Sequence, residues 1–88
     1  MKLKYEFVLN TVADKIVAVA VGEGLEQFNG FVKMNSIGAE IFEILRDDVT
    51  VEEIVKIMLE KHPDATEAEA TETVIEFTNK LKEEGIIA

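Results

Sequence analysis

The chain has 88 residues, of which 48% are hydrophobic and 31% charged, and its formal net charge is -9. A chain of this length can bury one small core, and its hydrophobic content excludes a disordered polypeptide. The absence of cysteine excludes a disulfide scaffold, a thiolate metal site and a cysteine nucleophile. These properties predict a single domain spanning residues 1–88.

The acidic excess is confined to the second part of the sequence. Residues 1–35 hold four lysines and four acidic side chains, whereas residues 36–88 hold 14 acidic side chains and five basic ones. Such a surface repels anionic membranes and favours neutral or basic partners, although acidic residues also serve solubility alone. The charged N-terminus and the short apolar run at 16–21 match neither a signal peptide nor a membrane span, so we expect a cytoplasmic protein.

Alternation of apolar and polar residues predicts β-structure in the first part of the chain. Strands are expected at about residues 5–12, 15–21 and 30–35. The first two are separated by Ala13-Asp14, which favours a hairpin. The segment 25–28 fits neither period, and Asn29-Gly30 is typical of a turn or bulge before the third strand.

Helical spacing replaces alternation from Ser36 onward, with helices expected at about residues 37–46, 51–61 and 67–84. Ser36 is the N-cap candidate of the first helix, and Thr50 and Thr66, each followed by Glu three residues later, are capping boxes for the other two. The inward stripe of the third helix is predicted to be Ala70, Val74, Phe77 and Leu81. This order predicts an α+β fold of winged helix-turn-helix type, with a three-stranded antiparallel sheet before three helices.

The sequence lacks the combinations of residues that enzymatic chemistry requires. His62, beside Pro63, is the only histidine, and one histidine without cysteine cannot build a typical zinc site. The glycines form no phosphate-binding motif, and the acidic pairs fall in first helical turns, where they complement exposed N–H groups. We therefore expect no enzyme, no metal and no cofactor.

Charge also opposes the DNA-binding function that a helix-turn-helix suggests. The third predicted helix carries six glutamates against two lysines, a net charge of -4, so each approach to a phosphate would be repulsive. We expect no nucleic-acid partner.

The predicted third strand would lie at a sheet edge, with one row of backbone N–H and C=O groups unpaired. Such an edge can capture an extended peptide as an added strand. Beside the core stripe of the third helix lies a second stripe, which could form a groove wall or simply pack at the core margin. Its members are Thr71, Ile75, Thr78 and Lys82.

Several segments together resemble the coenzyme PQQ synthesis protein D (PqqD) family. Residues 32–45 (VKMNSIGAEIFEIL) resemble the family signature at the junction of strand and helix, and residues 50–55 (TVEEIV) resemble the opening of its second helix. Val74, Phe77, Leu81 and the ending 84–87 (EGII) resemble its last helix and tail. The resemblance covers about residues 7–87.

Members of this family are known as RiPP recognition elements, where RiPP denotes a ribosomally made and post-translationally modified peptide. The resemblance implies non-catalytic binding of the leader segment of a precursor peptide, which is presented to a modifying enzyme, often of the radical SAM class. In that family the leader adds to the third strand and lies against the third helix. The peptide-binding residues so implied are Gly30, Phe31, Val32, Lys33, Met34, Asn35, Thr71, Ile75, Thr78 and Lys82.

An expanded segment at 22–28 departs from the family pattern and favours a general family member over one acting in PQQ biosynthesis proper. The main alternative is an oligomerisation module, in which strand three pairs with its own copy to form a homodimer. A winged-helix DNA regulator ranks third because of its charge.

Overall fold

The computed structural model describes residues 1–24 and 30–88. Its elements, in chain order, are β1 (Phe7–Val12), β2 (Lys15–Ala20), β3 (Phe31–Met34), α1 (Ser36–Ile44), α2 (Val51–Lys61) and α3 (Glu67–Glu83). This order confirms the α+β fold with three antiparallel strands before three helices. The winged-helix label applies only loosely, because the sheet precedes the helices. The ambiguous segment 25–28 and Asn29 lie outside the described residues.

The sheet is antiparallel with the strand order β1-β2-β3. Val12 pairs with Lys15 across a two-residue turn, in which Ala13 has a positive φ of 57°. Glycine is the usual residue at a positive φ in such turns, so Ala13 is held in a backbone conformation that is costly for alanine.

The two faces of the sheet have opposite environments. The inner face packs against the helices and carries the buried side chains Phe7, Ala18, Ala20, Val32 and Met34. The side chains that alternate with them are exposed or half-buried and form the outer face. Alternation along each strand therefore fixes which side chains contact the helices.

The helices begin at polar caps. Thr50 and Thr66 form the two predicted capping boxes with Glu53 and Glu69. The N-cap of α1 is Asn35, whose side chain accepts a hydrogen bond from the Gly38 N–H at 2.8 Å. The expectation of Ser36 as the cap is therefore wrong by one residue, because β3 ends at Met34 and leaves the extended Asn35 to start the helix.

Both chain ends pack onto the helical layer. Leu3 forms an isolated antiparallel bridge with Ile87, and its N–H donates to the Leu45 carbonyl at 2.9 Å. Ile86 and Ile87 are buried after Gly85, whose positive φ of 74° ends α3. In the part of the chain that the structure describes, no helix combines the length and apolarity needed to cross a membrane.

Candidate peptide-binding site

β3 is an edge strand of the sheet, and among residues 1–24 and 30–88 no hydrogen bond is made to its outer edge. A two-residue hairpin makes Val12 and Lys15 a hydrogen-bonded pair. Every second pair along β1 and β2 is then hydrogen-bonded, and the bond of 3.0 Å from the Val21 N–H to the Glu6 carbonyl fits this alternation. The even-numbered residues of β2 therefore point their backbone groups toward β3. These residues are paired with Val32 and Met34, so the N–H and C=O groups of Phe31 and Lys33 point away from the sheet.

The opposite edge, on β1, is partly covered. Arg46, just beyond α1, donates from Nη2 to the Phe7 carbonyl at 3.0 Å, which occupies an outward-facing group of that strand. Two further hydrogen bonds of 2.9 Å join its guanidinium to the Glu43 carboxylate. The hydrogen bond from Arg46 lowers the pKa of Glu43, and the same pair raises the pKa of Arg46. The two sheet edges are thus not equivalent, and within the described part of the chain β3 is the more open one.

The predicted strand residues take three different positions. Phe31 and Lys33 are exposed on the outer face, and Gly30 is exposed just before them. Val32 and Met34 are buried on the inner face, so they form part of the core and not of an accessible surface. Asn35 is exposed and caps α1. For this segment, contact with a peptide would come from backbone groups at Phe31 and Lys33 and from exposed side chains.

The predicted stripe on α3 is not one surface. Ile75 is 42% exposed and Lys82 is exposed, whereas Thr71 is half-buried. Thr78 is buried, with 1% exposure, and its hydroxyl donates to the Val74 carbonyl at 2.8 Å. The expectation that Thr78 faces outward is wrong, because a helical threonine can satisfy its hydroxyl on the preceding turn and then pack like an apolar side chain.

A groove lies instead along the other flank of α3. It has a volume of ≈ 250 Å³. Its walls are the end of β3, the first turns of α1 and one side of α3, with the lining residues Asn35, Ile37, Gly38, Ile41, Thr73, Glu76, Phe77 and Lys80. At 100° per residue, Thr73, Glu76 and Lys80 lie across the buried stripe from Thr71, Ile75 and Lys82.

Sequence reasoning missed this flank because it is polar. The apolar floor of the groove is the half-buried ring of Phe77, which packs against the core. A Cβ built on Gly38 would come within 2.9 Å of Cε1 of this ring, so glycine permits the close approach of α3 to α1. A glycine at this position, together with an aromatic residue at the margin of the α3 stripe, is the signal that could have indicated the groove.

His62 is paired with a residue on another helix. Its Nε2 lies 2.8 Å from Oε2 of Glu40, which joins the end of α2 to α1. Among the described residues, no three His, Asp or Glu side chains lie close enough together to hold a metal ion. The pair is therefore best described as a tie between two helices.

The family model of coenzyme PQQ synthesis protein D (PqqD) matches residues 16–87, which is most of the chain. The chain belongs to the PqqD family. The match begins in β2 and includes β3 and all three helices. The candidate edge and groove of this PqqD-family chain thus lie entirely within the matched region.

The solved structure titled "TbiB1 in Complex with the TbiA(beta) Leader Peptide" shares this fold, with a TM-score of 0.70 and 17% sequence identity. The match covers 98% of the PqqD-family chain and 93% of the TbiB1 chain. No curated protein sequence matches the chain significantly.

Proposed function

We propose that this PqqD-family chain binds the leader segment of a ribosomally made precursor peptide and holds it for a modifying enzyme, without catalysing a reaction itself. The observation that carries the proposal is the open edge of β3, where Phe31 and Lys33 direct their backbone groups away from the sheet. An extended peptide gains hydrogen bonds from such an edge whatever its sequence.

The groove on α3 would supply the selectivity. Side chains of an added strand alternate between the two faces of the sheet, so every second one would point toward the helical layer. There they would meet the groove floored by Phe77 and lined by Thr73, Glu76 and Lys80. Ile75, Thr71 and Lys82 remain proposed contacts on the other flank. Thr78 is not proposed as a contact, because its side chain is buried.

Two comparisons support this function. Membership of the PqqD family implies leader recognition, and TbiB1, which shares the fold, is described in complex with a leader peptide. The modifying enzyme, of the radical SAM class or another, is part of the proposal by family analogy. A single domain over residues 1–88 and a cytoplasmic location are proposed with it.

The experiment is a calorimetric titration of the chain with a synthetic leader taken from a short reading frame beside its gene. Proline is tolerated on an edge strand where its missing N–H faces outward. We expect Lys33→Pro to weaken leader binding about tenfold or more, because one hydrogen bond is lost and the ring obstructs the edge.

Two variants serve as controls. Thr11→Pro removes an outward N–H from the β1 edge and should leave the affinity unchanged, since Thr11 has the same alternation on the opposite side of the sheet. Lys33→Ala removes the side chain but keeps the N–H, and should bind nearly as well as the parent. Unchanged leader affinity in a folded Lys33→Pro variant would refute strand addition at β3.

A further inference from the structure

The outer face of the sheet is largely apolar, and none of the described helices packs on it. Four large apolar side chains are strongly exposed in the described part of the chain, and three of them, Val8 (46%), Val12 (62%) and Phe31 (58%), lie on this face. The register places Val8 opposite Val19, and Val19 opposite Phe31, so that an apolar row crosses all three strands. Clustered exposed apolar side chains of this kind mark interaction surfaces.

The same face carries basic charge on an acidic protein. Lys33 is paired with Val17 in the row next to the apolar one, and Lys15 is paired with Val12 one row farther along the same face. The Nζ of Lys33 lies 5.7 Å from the ring centroid of Phe31. The acidic residues nearest in sequence to the outer-face side chains of β1 and β2 are Glu6, before β1, and Asp14, in the hairpin turn. The acidic excess of the protein lies in residues 36–88.

A shallow depression of ≈ 630 Å³ lies on this face, lined by Val12, Val17, Val19, Phe31 and the two lysines. We infer that this outer face docks a folded protein whose own surface has an apolar centre flanked by carboxylates. Resting on the proposed function, the inference assigns that role to the enzyme that modifies the precursor. Charge complementarity of this kind directs association and selects the partner.

A second copy of the chain fits the outer face less well. A symmetric dimer would place each patch against itself, bringing the lysines of one copy toward those of the other. Both copies also carry a net charge of -9. A separate partner with carboxylates at the rim of its interface would pair them with the lysines, so the lysine-to-lysine repulsion does not arise.

The position of the outer face suits this partner. Phe31 and Lys33 present their side chains on the outer face and their backbone groups at the open edge, so the two surfaces are adjacent. A leader added to β3 would continue the apolar row with every second side chain. An enzyme docked on the outer face would therefore lie next to the bound leader and contact it, and leader and enzyme should increase each other's affinity.

The experiment measures binding of the purified modifying enzyme, encoded beside the precursor gene, by biolayer interferometry, with leader binding measured separately by calorimetry. Val8→Asp alters the outer face on β1 and Lys15→Glu alters it on β2, and both positions are away from the β3 edge. We expect each to lower the enzyme affinity about tenfold and to change the leader affinity less than about twofold. Lys56→Glu, an equal charge reversal on α2, should change neither.

Circular dichroism would test whether the variants are folded, and sedimentation would measure their self-association. Enzyme binding equal to the parent in both Lys15→Glu and Val8→Asp would overturn the inference. A parent dimer that these two substitutions dissociate would also overturn it, by assigning the outer face to a second copy. Failure of the leader to bind the parent would refute the proposed function alone, because enzyme binding to the outer face is measured independently.

Discussion

The ring of Phe77 on α3 lies directly against Gly38 on α1. A Cβ on Gly38 would approach Cε1 of the ring to 2.9 Å and Cβ of Met34 to 3.2 Å. Strand β3, α1 and α3 therefore meet at one point, which is also the floor of the proposed leader groove. Packing at this contact sets the width of the groove.

Gly38→Ala should displace Phe77 and narrow the groove. Alanine gains about 1 kcal/mol of helix propensity over glycine, whereas overpacking costs about 1–3 kcal/mol, so we expect a small net loss of stability. Leader affinity, measured by calorimetry, should fall. Phe77→Leu in the same chain removes the ring edge and should restore part of the stability, which a double-mutant cycle would detect as non-additivity. Additive effects would mean that the two residues do not interact.

Local patterns were enough to predict the order of elements. The alternation of β1 and β2 and the capping boxes at Thr50 and Thr66 depend on residues close in sequence, and the structure contains them. The N-cap of α1 was misplaced because Asn35 and Ser36 are both good caps. Only the end of β3 decides between them.

The flank of α3 that faces the groove could not be predicted from local sequence patterns. It depends on how α3 crosses α1, which is a tertiary relationship. Thr78 was misassigned because its hydroxyl bonds within its own helix, so its burial needs no polar partner from elsewhere. The contact between Glu40 and His62 joins residues 22 positions apart. Neither the strand period nor the helix period of the sequence indicates it.

Ala13→Gly should stabilise the fold. Ala13 has φ 57° in the β1–β2 turn, a conformation that costs an L-residue with a Cβ about 1–2 kcal/mol, and glycine adopts it freely. The greater flexibility of glycine in the unfolded chain offsets part of the gain, so we expect a net increase of about 0.5–1 kcal/mol in the unfolding free energy. Chemical denaturation measures it. Asp14→Gly, at the neighbouring position where no positive φ occurs, should destabilise; a loss of stability in Ala13→Gly would contradict the argument.

Stability should depend on the Glu43–Arg46 pair in a definite pH range. The hydrogen bond from Arg46 lowers the pKa of Glu43 below its ordinary value of 4.5 in the folded state. The pair therefore stabilises the fold above that value, and its contribution is lost as pH falls through the lowered pKa. Since the pair is half-exposed, we expect Glu43→Gln to cost only about 0.3–0.5 kcal/mol at pH 7.

The measurement is chemical denaturation of parent and Glu43→Gln over a series of pH values. The difference in unfolding free energy should be constant near neutrality and vanish in acid, once Glu43 is protonated in the folded parent. In an Arg46→Gln background, Glu43→Gln should no longer show this pH-dependent difference, because the arginine partner is absent. A Glu43→Gln difference that persisted in strong acid would show that the substitution acts through something other than charge.

The two flanks of α3 can be distinguished with one pair of substitutions. Lys80 lines the groove, whereas Lys82 lies on the opposite flank, and both are exposed in the last turns of the helix. Lys80→Glu and Lys82→Glu change net charge and helix-dipole interaction almost equally, so a difference in leader affinity reports position alone. For a leader with basic residues, Lys80→Glu should strengthen binding by about 0.2–1 kcal/mol, the usual range for an exposed ion pair, and Lys82→Glu by less. The added affinity should decline as salt rises, because exposed charges are screened. A larger effect at Lys82 would place the leader on the flank of Ile75 instead of the groove beside Phe77.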